Sequence, residues 1–251
     1  MAGDKYQRFY GLRFEDFRRM SQDTTLSVHE RAGFPDEIRA GKEQLILNDL
    51  LAKLPPLAAK GKTVLDIGSG FGPLAIRIIR HCESSAHKLV LVDAAEILAQ
   101  VPDSPAVTKC AAYYPECPEI LEAYANKVDC ILCYSVFHYI FVEANVWRFL
   151  DESLRLLAPG GHFLIGDIPN ISKRKRFLSS DAGISFHRAY MQTDKSPDVR
   201  FNTVEPDTID DSVVIALLSR ARLQGYDAYV LPQAKDLPMG NRREDVLIVR
   251  P

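Results

Sequence analysis

The residues most suggestive of chemistry are concentrated in VLDIGSGFG, Val64 to Gly72, where Asp66 follows an apolar run and Gly68, Gly70 and Gly72 then alternate with Ser69 and Phe71. Glycines at this density allow a sharp turn and let a ligand approach bare peptide groups. A second apolar run, KLVLVD, ends in Asp93, where a carboxylate can accept hydrogen bonds from a ribose diol. Together these features describe a nucleotide or nucleoside site. The dinucleotide fingerprint GxGxxG would place its third glycine at position 73, but the chain has Pro73 there.

Groups able to move a proton or hold an acceptor lie further on. CYSVFHYIF places Tyr134 and Ser135 at the end of one apolar run, positioned to touch a bound nucleoside, with His138 just beyond as a candidate general base. GDIPNISKRKRF supplies Asp167, a second candidate base, and Asn170, which can orient an acceptor. The basic run Lys173 to Arg176, with His187 and Arg188 after it, could clamp a phosphate or carboxylate. We therefore take Asn170, Lys173, Arg176 and His187 as candidate acceptor contacts. Arg39 and Lys42, three apart on an expected helix, form a further cationic pair that could reach a ligand if that helix covers the cleft.

The elements that must position these residues follow from periodicity. Short apolar runs alternate with longer helical patterns, which implies a parallel sheet with crossover helices. Strands are expected at Thr63 to Ile67, Lys88 to Val92, Ala106 to Ala111, Val128 to Ser135 and His162 to Ile168. Helices are expected at Pro73 to His81, Ala94 to Gln100, Pro118 to Asn126 and Asn145 to Leu157, the last stopped by APGG. A helix opening on a capping box at Thr208 to Asp211, with Ile209, Val213, Leu217 and Ala221 buried, precedes a hairpin of Asp227 to Leu231 and Asp245 to Val249. Upstream, PDEIRAGKEQLILNDLLAKL reads as one helix that Pro55 and Pro56 stop. The chain therefore divides into an N-terminal helical cover over residues 1–56 and a core over 57–251. Within the core, residues 169–207 are too long for a simple connection. Phe177, Phe186, Tyr190 and Met191 suit them to a small packed lid.

With Asp66, Gly68, Gly70, Gly72 and Asp93 in this order, the chain from about Val64 to Pro251 resembles the class I S-adenosylmethionine-dependent methyltransferases. The resemblance implies an α/β, Rossmann-like, doubly wound seven-stranded sheet whose last strand is antiparallel. It implies S-adenosyl-L-methionine as cofactor. Gly68, Ser69, Gly70 and Gly72 would line its amino-acid part, Asp66 would bond near its ammonium, and Asp93 with Ala94 would hold the ribose. Many members carry an acidic residue after the third strand; here CAAYY, Cys110 to Tyr114, stands instead, so adenine recognition falls to Ala111 and Ala112. More narrowly, GDIPNISKRKRF and REDVLIVRP resemble methyltransferases associated with bacterial surface polysaccharide synthesis, which suggests O-methylation of a sugar or of a phosphorylated or nucleotide-linked sugar. The alternatives are an N-methyltransferase of a small metabolite, a cofactor-binding regulatory module without turnover, and an NAD-dependent enzyme, which Pro73 and the terminal hairpin disfavour.

Composition narrows the partners. The 251 residues are 47 % hydrophobic, enough for a full core, and the net charge of −2 offers no general attraction to nucleic acid or anionic lipid. The expected partner is a small-molecule acceptor rather than a nucleic acid. With no membrane-length apolar run, a cytoplasmic location is expected. Five scattered cysteines argue against a disulfide framework, and Cys130 and Cys133, three apart on an expected strand, should face opposite sides of the sheet. No metal site is expected.

Overall fold

In the computed structural model, residues 7–9 and 11–251 are described. After a 3-10 turn at Gln7–Phe9, the N-terminal region contains α1 (Phe14–Gln22), α2 (Val28–Arg31), α3 (Asp36–Arg39), α4 (Glu43–Lys53) and α5 (Pro55–Ala58). The core follows as β1 (Thr63–Ile67), α6 (Pro73–Ser84), β2 (Lys88–Asp93), α7 (Ala95–Leu98), β3 (Val107–Ala111), α8 (Pro118–Ala123) and β4 (Val128–Tyr134). It continues as α9 (Phe137–Glu143), α10 (Val146–Leu156), β5 (Leu157–Pro169), α11 (Ile171–Leu178), α12 (Asp181–Met191), α13 (Asp211–Leu223), β6 (Asp227–Pro232) and β7 (Arg243–Val249).

The seven strands form one sheet in the order β3-β2-β1-β4-β5-β7-β6. The first five pair in parallel, while β7 runs antiparallel to both β5 and β6. The chain reverses its direction of travel across the sheet between β1 and β4. In doubly wound sheets, ligands bind outside the strands' carboxyl ends at such a switch point. Strand alternation sends Leu65, Ile131, Cys133, Phe163 and Ile165 into one core with Phe149 and Leu217, and Val64, Leu91, Cys130, Leu132 and Leu164 into the other with Ile46, Leu50 and Ile78. Cys130 and Cys133 are thus buried free thiols on opposite faces of the sheet.

Several boundaries differ from the sequence reading for local reasons. The single helix expected after Pro35 is broken at Gly41, whose φ of +77° no regular helix accommodates, and Pro55 and Pro56 open α5 as well as ending α4. The cap of α13 is Asp210, whose side chain accepts from the Ser212 and Val213 N–H groups; Thr208 instead donates its hydroxyl to the Glu205 carbonyl. Its buried stripe is Val214, Leu217 and Ala221, with Val213 only partly covered. The APGG stop is absorbed into β5, which pairs Leu157 with Val128 and then shifts register before His162. A helix missing from the sequence reading, α9, follows β4 and carries His138.

Candidate functional site

A cavity opens at the carboxyl ends of β1, β2 and β4, with the glycine turn on one side and residues of α1 to α4 on the other. Gly68 leaves β1 with φ +70°, and a Cβ there would lie 2.6 Å from Val136 Cγ2, so the turn packs directly on the start of α9. Gly70, at φ +65°, differs: a Cβ there would meet nothing within 4 Å. Gly72 is the N-cap of α6, whose first residue is Pro73, which needs no N–H acceptor. The turn therefore offers backbone and open space beside a helix N-terminus, the arrangement that admits a polar ligand at close range.

Asp93 is tied to this turn. Its Oδ2 accepts from Gly70 N–H at 2.9 Å and its Oδ1 from Ala94 N–H at 2.7 Å, which fixes the carboxylate at the cavity and leaves a lone pair on each oxygen. Burial pushes its pKa up to about 6, against the two N–H groups that favour the ionised form. Asp66 sits behind the turn and is buried rather than lining the cavity; burial, then the Asp93 charge, raises its pKa to about 7.

The edge of β4 and β5 is unusual in its backbone. Ser135 and Asp167 both have left-handed φ, +63° and +59°, a conformation that only a few per cent of non-glycine residues adopt. Ser135 donates its hydroxyl to Asp167 Oδ2 at 2.6 Å, and Ser135 N–H bonds to the Gly166 carbonyl. Gln233 donates to both Asp167 and Asp245, Asp245 accepts the Asp167 N–H, and Lys53 of α4 reaches Asp245 at 2.7 Å. This buried network ties α4 to the β5 and β7 edge.

Of the residues singled out from sequence, Gly68, Ser69, Gly70, Gly72, Asp93, Ala112, Tyr134 and Ser135 line the cavity; Ala94 and Ala111 do not. Both candidate bases stand off it. Asp167 is buried and occupied as above. His138 lies on α9 with its Nδ1 buried and unpartnered, and burial, followed by the Arg243 charge, lowers its pKa to about 3, leaving a neutral and weakly basic ring. The acceptor contacts expected in the lid are also elsewhere. Asn170 caps α11 and donates to Asp211 and Glu244, Lys173 donates to the Arg243 carbonyl, Arg176 pairs with Asp211, and His187 lies on α12; none lines the cavity. The segment expected as a lid forms two helices, α11 and α12, that line no part of this cavity; between them Phe177 meets Phe186 edge-on, and Phe186 stacks on Tyr190.

Covering residues come instead from the N-terminal helices. Phe14 packs edge-on against Tyr113 and Phe17 against Tyr139, all four at the cavity, while Arg31 lies over the Phe71 ring. His29 bridges two carboxylates, with Nδ1 2.8 Å from Asp36 and Nε2 2.8 Å from Glu43. Burial alone would raise the Glu43 pKa, but a backbone N–H at the start of α4, the His29 hydrogen bond and the nearby His29 and Arg39 charges together hold it below the usual carboxylate range. Arg39 lines the cavity, but Lys42 does not, because the break at Gly41 separates them. Sequence spacing offered no signal for His29 and Glu43, which lie on different helices across that break. The pair FEDF, with Phe14 and Phe17 one helical turn apart, was the visible clue to the cover.

Residues 39–195 match the family model described as "Methyltransferase domain". The chain is 26 % identical over 140 residues to the ubiquinone/menaquinone biosynthesis C-methyltransferase UbiE of Bartonella bacilliformis, a match covering 54 % of this chain and 52 % of that protein, so it spans about half that relative's length. Among solved structures, the plantazolicin methyltransferase BpumL, in complex with a triazolic desmethylPZN analog and SAH, aligns with a TM-score of 0.57 at 10 % identity, covering 94 % of this chain and 98 % of that one. The N-methyltransferase NodS of Bradyrhizobium japonicum WM9, in complex with S-adenosyl-L-homocysteine, aligns with a TM-score of 0.53 at 13 % identity, covering 95 % and 98 %. At these identities the structural likeness concerns the fold.

Proposed function

Because the chain belongs to the methyltransferase-domain family, we propose that it is an S-adenosylmethionine-dependent methyltransferase acting at oxygen on a small molecule enclosed by the N-terminal helices. The observation that carries this reading is the Asp93 carboxylate, anchored by Gly70 and Ala94 N–H groups beside an open glycine turn. That donor and acceptor set fits a nucleoside with an amino-acid tail. Ribose hydroxyls can donate to the free lone pairs of Asp93, and the tail can follow the Gly68 to Gly70 backbone. Ile97, Ala112 and Val136, all at the cavity, offer apolar surface for a base. When bound, this cofactor supplies a methyl group on a positively charged sulfur.

The protein's contribution is chiefly alignment, since displacement at carbon needs the nucleophile in line with the leaving sulfur. Phe14, Phe17, Phe34, Tyr113 and Tyr139 give the cavity an aromatic wall that suits a flat or weakly polar acceptor body. An acceptor hydroxyl must also lose its proton. His29 has both ring nitrogens bonded to Asp36 and Glu43, so the base this cavity offers is the second oxygen of the Glu43 carboxylate, a weak base that His29 holds in place through Oε1 at 2.8 Å. A sugar or phenolic hydroxyl is compatible with this arrangement. A phosphorylated acceptor loses its support, because Lys173, Arg176 and His187 lie outside the cavity.

The test is methyl transfer from S-adenosylmethionine to a panel of sugars, phenols and amines, followed by mass spectrometry. Glu43→Gln should lower kcat for the hydroxyl substrate at least tenfold while leaving cofactor affinity within twofold. Transfer confined to amines, undiminished in Glu43→Gln, would refute the oxygen assignment.

A further inference from the structure

Arg39 sits at the end of α3 with 7 % of its surface exposed, and its guanidinium packs against Phe34 at 4.5 Å and Tyr134 at 5.5 Å from the ring centroids. Burying a cation this far is costly unless an anion and hydrogen-bond acceptors surround it. The protein supplies little of either. Among the described residues no carboxylate lies within 4.0 Å of Arg39, and its hydrogen bond, to Ser135 Oγ, is long at 3.5 Å. Ser135 has already given its proton to Asp167, and Glu43, the acid whose charge Arg39 feels, is joined to His29. A guanidinium carries five N–H donors in a planar fork that matches a carboxylate. Here that fork borders the same cavity as Gly68, Ser69 and Ser135.

We propose that Arg39 is the carboxylate-binding residue for the amino-acid tail of the bound nucleoside, closing α3 onto the ligand through a charge-assisted hydrogen bond. This rests on the reading of the cavity as an S-adenosylmethionine site. The helix break at Gly41 has a role in it, because it turns Arg39 to the cavity while α4 continues along the core. The arrangement also makes the cofactor part of the cover: with the carboxylate in place Arg39 gains its missing partner, so cofactor binding should hold α3 down before the acceptor is sealed in.

Isothermal titration tests this with three ligands: S-adenosylhomocysteine, its decarboxylated analogue, and 5′-methylthioadenosine, which lacks the tail. The wild-type protein should bind S-adenosylhomocysteine about 30-fold more tightly than the decarboxylated analogue, the effect of one charge-assisted pair. Arg39→Met should lose about 30-fold for S-adenosylhomocysteine and stay within twofold for 5′-methylthioadenosine; Arg39→Lys should lose less, as a point charge without the fork. Equal wild-type affinity for the first two ligands would overturn the assignment without any variant. So would an Arg39→Met protein that loses both nucleosides equally. Failure of the wild-type protein to bind any of the three would instead remove the cofactor reading beneath it.

Discussion

Gly68 has no room for a side chain, and this gives the most quantitative handle on the site. An alanine Cβ would fall 2.6 Å from Val136 Cγ2 and 2.8 Å from Cγ1, on a backbone already at φ +70°. The left-handed conformation costs a non-glycine residue about 1–2 kcal/mol, and forcing a methyl into packed surroundings costs about 1–3 kcal/mol. Gly68→Ala should therefore destabilise the fold by roughly 2–5 kcal/mol, a large share of the roughly 5–15 kcal/mol of a typical domain. Val136→Ala alone should cost about 1–2 kcal/mol for a partly buried side chain. In the double variant the two closest contacts disappear, the 3.3 Å contact to Val136 Cβ and the backbone part remain, and the two losses should fall short of additivity by about 1–3 kcal/mol. Urea unfolding followed by circular dichroism measures all four proteins. Additivity within about 0.5 kcal/mol would mean that the turn does not rest on α9, and the floor of the cavity would be wrongly drawn.

Gly70→Ala should separate stability from binding: it costs only the backbone part, about 1–2 kcal/mol, yet places a methyl in the cavity and should weaken S-adenosylhomocysteine at least tenfold by titration calorimetry. The affinity should also depend on pH through Asp93. Its folded pKa of about 6 lies above the usual carboxylate value, so the folded chain holds that proton more tightly, and the ionised form that accepts ribose hydroxyls is lost as pH falls through 6. Affinity should then drop by up to about tenfold per pH unit below 6 and level off above it, and Asp93→Asn should flatten the profile. Asn170→Ala should cost roughly 2–4 kcal/mol by urea unfolding, because the α11 cap is lost and Asp211 and Glu244 each lose a partner; S-adenosylhomocysteine affinity should stay within twofold.

What could be read in advance, and what could not, divides along physical lines. The glycine turn and Asp93 are local features: Gly68 and Gly70 need positive φ, and Asp93 ends a buried strand, so their types and order already implied their geometry. The alternation of strands and helices likewise implied a doubly wound parallel sheet, and the terminal run of two strands an antiparallel hairpin, while the seven-stranded sheet with its antiparallel last strand came from the family resemblance. The cover was less legible because it is assembled from short helices whose relative placement depends on breaks such as Gly41. His29 and Glu43 meet only in three dimensions. Basic character in Lys173 to Arg176 misled for a related reason: Lys175 and Arg176 find carboxylates on neighbouring segments, Glu205 and Asp211, and so hold those segments together. His138 was displaced from its expected role by α9, which buries its Nδ1 instead of presenting it.

In the proposed function, the Gly68 to Gly72 bend and Asp93 together hold a sulfonium nucleoside. Titrating S-adenosylhomocysteine into the wild-type protein and Asp93→Ala addresses it directly. Saturable binding to the wild-type chain is expected, with a loss of at least about 100-fold in the variant, from two ribose bonds of roughly 1.5–3 kcal/mol each. A folded wild-type protein that fails to bind, or an Asp93→Ala protein that binds as well as the wild type, would contradict it.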